Sequence, residues 1–89
     1  MNSKINWVLQ IDNSVYKFLA KIPKSDANRI LEVVENLPEN LFFGDIQKMK
    51  AEENSWRRRV GNYRIFYEII TVENLIYVYE VKRRTSNTY

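Results

Sequence analysis

Four arginines fall within the ten residues SWRRRVGNYR (residues 55–64): Arg57, Arg58, Arg59 and Arg64. A second basic run, Lys82-Arg83-Arg84, follows near the C-terminus, and the sequence ends in Tyr89. Guanidinium forks match the oxygens of phosphate and carry a charge that never titrates away. Residues of this type at this density point to binding a polyanion, with nucleic acid the first candidate. The chain has neither histidine nor cysteine. The usual proton shuttle near neutral pH, thiol nucleophiles, thiolate metal sites and the commonest zinc ligand are therefore all missing. Any proton chemistry must run on Tyr, Lys, Arg, Asp or Glu.

The net charge of +3 is unevenly spread. Residues 1–44 hold five Lys/Arg and five Asp/Glu, whereas residues 45–89 hold nine and six, so the second half carries the whole excess. The chain of 89 residues is expected to form one domain over residues 1–89, large enough to close a single core. No apolar run approaches the roughly 20 residues of a membrane span. The N-terminal stretch MNSKINWVLQ does not read as a signal peptide. The lack of cysteine fits a reducing cytoplasm.

The hydrophobic periods say which elements carry these groups. INWVLQI (residues 5–11) is rich in strand formers. Asp12, Asn13 and Ser14 are all N-cap types, and Val15, Phe18, Leu19 and Ile22 recur at helical spacing until Pro23. Ser25 or Asp26 is expected to cap a second helix, whose stripe runs Ala27, Ile30, Leu31, Val34 and Leu37 to Pro38. Leu41, Phe42 and Phe43 read as core plugs in a loop. From Ile46 the period changes to that of strands: a weak IQKMK, then WRRRV and YRIFYEII flanking Gly61-Asn62, then LIYVYEV (residues 75–81) after a turn at Glu73-Asn74. The order is β-α-α-β-β-β-β. The fold class is α+β: a helical hairpin on one face of a small, twisted, mainly antiparallel sheet of three or four strands, with the first strand a candidate further member.

A two-residue turn at Gly61-Asn62 fixes a register. Val60 then stands opposite Tyr63, Arg59 opposite Arg64, Arg58 opposite Ile65 and Arg57 opposite Phe66. Alternation puts Trp56, Val60, Tyr63, Ile65, Tyr67 and Ile69 on the face the helices cover, with Arg58 as a misfit at its rim. The other face carries Arg57, Arg59, Arg64 and Phe66. Arg59 directly opposite Arg64 is a destabilising like-charge pair. Conflicts of this kind are expected at functional sites, and an anion between the two would relieve this one. A base could stack on Phe66. A charged edge that repels other strands would account for the same residues without a ligand. An even connection to the last strand would add Arg83 to the arginine face; an odd one would add Lys82 and Arg84. Beside such a cluster the Tyr89 phenol would have a lowered pKa and serve as a general base.

These residues resemble a known family. DIQKMKAEENSWRRRVGNYRIFYEII followed by IYVYEVKRRTSNTY is similar to the RelE/ParE superfamily of type II toxin–antitoxin toxins, closest to the RelE branch. The pattern W-R-x-R-V-G-x-Y-R-I-x-Y-E and the C-terminal R-R…Y carry the likeness; residues 1–45 match in layout. The resemblance implies an mRNA endonuclease, an interferase of translation that cuts messages in the ribosomal A site. The substrate's 2′-hydroxyl attacks the adjacent phosphate, so no metal and no cofactor are implied. Position by position, it implies catalytic roles for Arg57, Arg59, Arg64, Arg83 or Arg84, and Tyr89. Lys48, Lys50, Arg58, Phe66 and Lys82 would contact RNA. It also implies a cognate antitoxin partner, a cytoplasmic location and no membrane. The sequence departs from the pattern in its C-terminal spacing, in lacking the usual histidine there, and in having arginine where lysines are frequent. Arginine cannot deprotonate, which leaves Lys48 and Lys50 as candidate amines. The alternatives are a ParE-like inhibitor of DNA gyrase and a non-catalytic binding homologue.

Overall fold

The computed structural model describes residues 7–39, 46–48 and 54–84. Strand β1 (Val8–Ile11) leads into helix α1 (Asn13–Leu19), helix α2 (Lys24–Glu35) and then strands β2 (Ile46–Lys48), β3 (Ser55–Val60), β4 (Tyr63–Ile70) and β5 (Leu75–Arg83). The five strands form one sheet in the order β1-β5-β4-β3-β2. β2 to β5 pair antiparallel, and β1 pairs parallel with β5. The sheet is thus mixed, and the first strand joins it at the far edge. A parallel neighbour needs a crossover, which the two helices and the intervening strands supply.

Asp12 is the residue that caps α1; its carboxylate accepts from the Ser14 N–H at 3.0 Å. The cap of α2 differs from the sequence expectation. The helix starts at Lys24, directly after Pro23, and no side chain caps it. Proline's fixed φ, −56° here, sets the entry by itself. The helix also stops earlier than Pro38 demands. Asn36 closes it, its Nδ2 donating to the Glu32 carbonyl at 2.9 Å. Leu37 nonetheless stays in the core with no exposed surface. Residues 5 and 6, and the loop with Leu41, Phe42 and Phe43, lie outside the described residues.

Both helices cover one side of the sheet. Val15, Leu19, Ile30, Val34 and Leu37 pack against Val60, Tyr63, Ile65, Tyr67, Ile69, Ile76, Val78 and Val81. This is the alternate set of strand residues that a half-covered antiparallel sheet must keep apolar. The opposite side carries Arg57 and Arg59 of β3, Arg64 of β4 and Lys82 of β5.

Candidate functional site

The β3–β4 hairpin turns at Gly61-Asn62, and Gly61 has φ +57°. Among the two turn residues only this first one is left-handed, where a type II′ turn takes glycine. The short turn locks the register: Val60 opposite Tyr63, Arg59 opposite Arg64, Arg58 opposite Ile65, Arg57 opposite Phe66. Ile65 is core, so Arg58 shares the helix side with it, while Arg57, Arg59, Arg64 and Phe66 share the open side.

On the other flank of β4 the pairing decides which C-terminal cation joins them. Ile70 pairs with Leu75 across four connecting residues, an even number. Counted from the turn alone, Arg83 would reach the arginine face. The register shifts between Phe66 and Tyr67, however: Tyr67 pairs with Val78 but Phe66 with Glu80, which leaves Tyr79 as an extra residue on β5. This bulge reverses the parity beyond it. Lys82 stands opposite Arg64, and Arg83 stands opposite Tyr63 on the helix side. A row Arg59–Arg64–Lys82 therefore crosses three adjacent strands. Among the described residues Arg64 has no carboxylate partner. Lys82 Nζ lies 3.8 Å from a Glu80 carboxylate oxygen, an exposed pair of the kind worth little in water.

Several expected site residues stand elsewhere. Arg83 lies 5.3 Å from the centre of the Tyr63 ring, a cation–π contact on the helix side. Lys48 pairs with Trp56 in the β2–β3 ladder and its Nζ lies 6.0 Å above that ring. It too is on the helix side, because Lys48 and Trp56 are directly opposed and alternate with Arg57. Arg58 is half-buried there; its Nε is enclosed without a hydrogen-bond partner among the described residues. Phe66 is on the open side but only 9% exposed, with Lys82 Nζ 5.7 Å above its ring, so it does not offer a bare face to a base. The backbone N–H of Arg84 donates to the Asn62 carbonyl at 2.6 Å, which ties the end of β5 to the hairpin turn; its Nε is likewise enclosed without a partner among the described residues. Lys50 and Tyr89 lie outside the described residues.

Sequence reasoning missed two features around the row. The first is an aromatic line on the open side: the Phe66 and Tyr79 rings are 6.3 Å apart and the Tyr79 and Tyr77 rings 6.2 Å apart. The bulge that creates it leaves a trace in the sequence, because the core positions Ile76, Val78 and Val81 step by two and then by three. The second braces the hairpin turn from the helix side. The Tyr63 hydroxyl donates to Asp26 at 2.8 Å, Arg29 pairs with Asp26 at 3.4 Å, and a side chain at Gly61 would meet the Arg29 guanidinium at 3.4 Å. The hydrogen bond to Asp26 raises the Tyr63 pKa above its ordinary 10.0, and the bond to Asp12 does the same for Tyr77. Burial raises that of Tyr67. These phenols are held neutral and brace the frame of the site.

The chain is similar to known proteins in sequence and in fold. The model of the ParE toxin of type II toxin–antitoxin systems, parDE, matches residues 9–88. A RelE1 protein of Methanocaldococcus jannaschii is 27% identical over 81 residues, 85% of this chain and 88% of that relative. The archaeal RelE–RelB complex from Pyrococcus horikoshii superposes with a TM-score of 0.78 at 24% identity, covering 91% of this chain and 98% of that one. The RelB–RelE antitoxin–toxin complex from Methanococcus jannaschii gives a TM-score of 0.70 at 28% identity, over 83% and 88% of the two chains.

Proposed function

The chain belongs to the ParE toxin family of type II toxin–antitoxin systems, within the RelE/ParE superfamily and on its RelE branch, and from that premise we propose that it is a metal-independent mRNA endonuclease that cuts messages in the ribosomal A site in the cytoplasm and so halts translation. The observation that carries this reading is the cationic row Arg59–Arg64–Lys82 across β3, β4 and β5, with Arg57 beside it on the same open face.

Cleavage through the RNA's own 2′-oxygen needs little from the protein beyond electrostatics and proton transfer. The O2′–P bond forms as the P–O5′ bond breaks, through a phosphorane bearing two negative charges. Fixed cations aimed at that charge supply the largest share of the catalysis. Arg57, Arg59 and Arg64 take this role, each unable to lose its proton. Removing one costs about 10²–10³ in rate, by analogy with oxyanion-hole donors. Acid–base work falls to groups that titrate. Lys82 is the lysine that the described residues place in the row, and Tyr89 is the second candidate; Arg84 can add only fixed charge. Arg83, stacked on Tyr63, and Lys48, stacked on Trp56, act in the frame instead.

A cognate antitoxin partner follows from the family, and the RelE relatives from two archaea are seen bound to RelB. Acidic and apolar side chains on that partner would suit the basic face. A second reading rests on the matched family model, which bears the parDE name: a ParE-like action on DNA gyrase. Pulsed expression separates the two. Translation arrest with cut mRNA, lost in a folded Arg64→Ala variant, supports the nuclease. DNA damage with intact mRNA supports the gyrase reading, and no toxicity at all supports a binding homologue.

A further inference from the structure

The side of the sheet that the helices leave open carries more aromatic surface than a solvated face needs. Phe66, Tyr79 and Tyr77 follow one another at ring separations of 6.3 and 6.2 Å, their planes tilted by 42° and 38°. Phe66 is nearly enclosed and serves as the floor; the two tyrosines are half-buried. Tyr79 is the extra residue of the β5 bulge, and its ring contacts with Phe66 and Tyr77 place it on the open side.

We propose that Tyr79 and Tyr77 form a two-ring stacking platform for the bases of single-stranded RNA that leads away from the cationic row. This rests on the RNA-cleaving reading above and extends it to the substrate beyond the scissile phosphate. Three observations support it. The platform is continuous with the row, since Lys82 sits over the Phe66 ring against which Tyr79 leans. Both rings are held: the Tyr77 hydroxyl donates to Asp12 at 2.8 Å, and the Tyr79 ring sits between those of Phe66 and Tyr77, on a backbone whose carbonyl accepts from the Ser14 hydroxyl at 3.3 Å. Rings already held in place lose little freedom when a base stacks on them, and stacking on aromatics next to a basic groove is how single strands are bound without base-specific contacts. Finally, the charge changes sign along the line. Lys82 and Arg64 flank its Phe66 end, whereas Asp12 touches Tyr77 at the other and Glu68 stands opposite Tyr77 in the β4–β5 ladder. Carboxylates there repel further phosphates and end the footprint after about two bases.

The test uses fluorescent oligonucleotides carrying 2′-O-methyl groups, which cannot attack their own phosphate, and the isolated toxin. Affinity should rise with each of the first two bases added beyond the central dinucleotide, then level off. Tyr79→Leu and Tyr77→Leu, checked for folding by circular dichroism, should each weaken binding roughly 5- to 100-fold. Tyr79→Phe should bind as the parent does. If the folded leucine variants bind like the parent while Arg64→Ala does not, the platform is wrong and the RNA reading stands. If they lose affinity for the antitoxin alone, the rings belong to a protein interface and the proposal is overturned. If the parent neither binds nor cuts RNA, the underlying reading fails and the platform with it.

Discussion

Arg59 and Arg64 stand directly opposite each other in the β3–β4 ladder, two guanidinium-bearing residues joined by a two-residue turn. Lys82 faces Arg64 from its other side, so Arg64 lies between cations on both neighbouring strands. Like charges in these positions are destabilising. Replacing Arg64 with threonine should therefore raise the unfolding free energy of the isolated toxin by about 0.2–1 kcal/mol while removing toxicity. Urea unfolding of the two proteins checks this. Lower stability in Arg64→Thr would mean that Arg64 is held by favourable contacts.

The bulge at Tyr79 leaves two adjacent cations, Lys82 and Arg83, on opposite sides of the sheet. Lys82→Ala should lower RNA cleavage with little net change in stability: its Glu80 pair is exposed, and the lost contact with the Phe66 ring is offset by relief of the repulsion from Arg64. Arg83→Ala should do the reverse. It keeps cleavage but loses about 0.5–1 kcal/mol from the contact with Tyr63. Paired cleavage and unfolding measurements on the two variants decide the matter, and an inactive Arg83→Ala with normal stability would return Arg83 to the site.

The core beneath the row should be unforgiving. Ile65 is fully buried on β4, and Ile65→Ala should cost about 2–5 kcal/mol from lost burial and the cavity left behind. In a domain of this size, stability totals only about 5–15 kcal/mol. A melting-temperature drop beyond about 8 °C should be visible by circular dichroism.

Stability should fall at both ends of the pH scale. The hydrogen bonds from Ser14, and then that from Tyr77, hold the Asp12 carboxyl below its ordinary 3.8. A depressed folded pKa contributes stability that is complete above 3.8 and lost as pH falls through the lower folded value. Asp12→Asn should flatten that acid limb. The phenols of Tyr63, Tyr67 and Tyr77 are raised above 10.0, so their share is complete below pH 10 and is lost as pH rises through the folded values. Unfolding midpoints measured across both ranges, with Asp12→Asn compared on the acid side, provide the check.

The hairpin was readable from its residues because a two-residue turn leaves one register open, and with it the faces of Arg57, Arg59, Arg64 and Phe66. The helices were readable from their stripes, although Pro23 replaced the side-chain cap that Ser25 or Asp26 promised. What a count of turn residues cannot deliver is a bulge. The single extra residue Tyr79 exchanged Lys82 for Arg83, because side-chain direction in a strand depends on every residue between the turn and the site. Phe66 was placed on the correct face, yet its enclosure depends on neighbours from other strands. The Tyr63–Asp26 bond spans 37 residues and has no local signature.

The chemistry of the cut ends tests the central claim most directly. Purified toxin should be incubated with mRNA, with and without ribosomes, in the presence of excess chelator, and the fragments mapped and their termini identified. Attack by the 2′-hydroxyl requires 2′,3′-cyclic phosphate on one fragment and 5′-hydroxyl on the other, absent with Arg64→Ala. Intact mRNA under all conditions, with gyrase trapped on cleaved DNA instead, would contradict it.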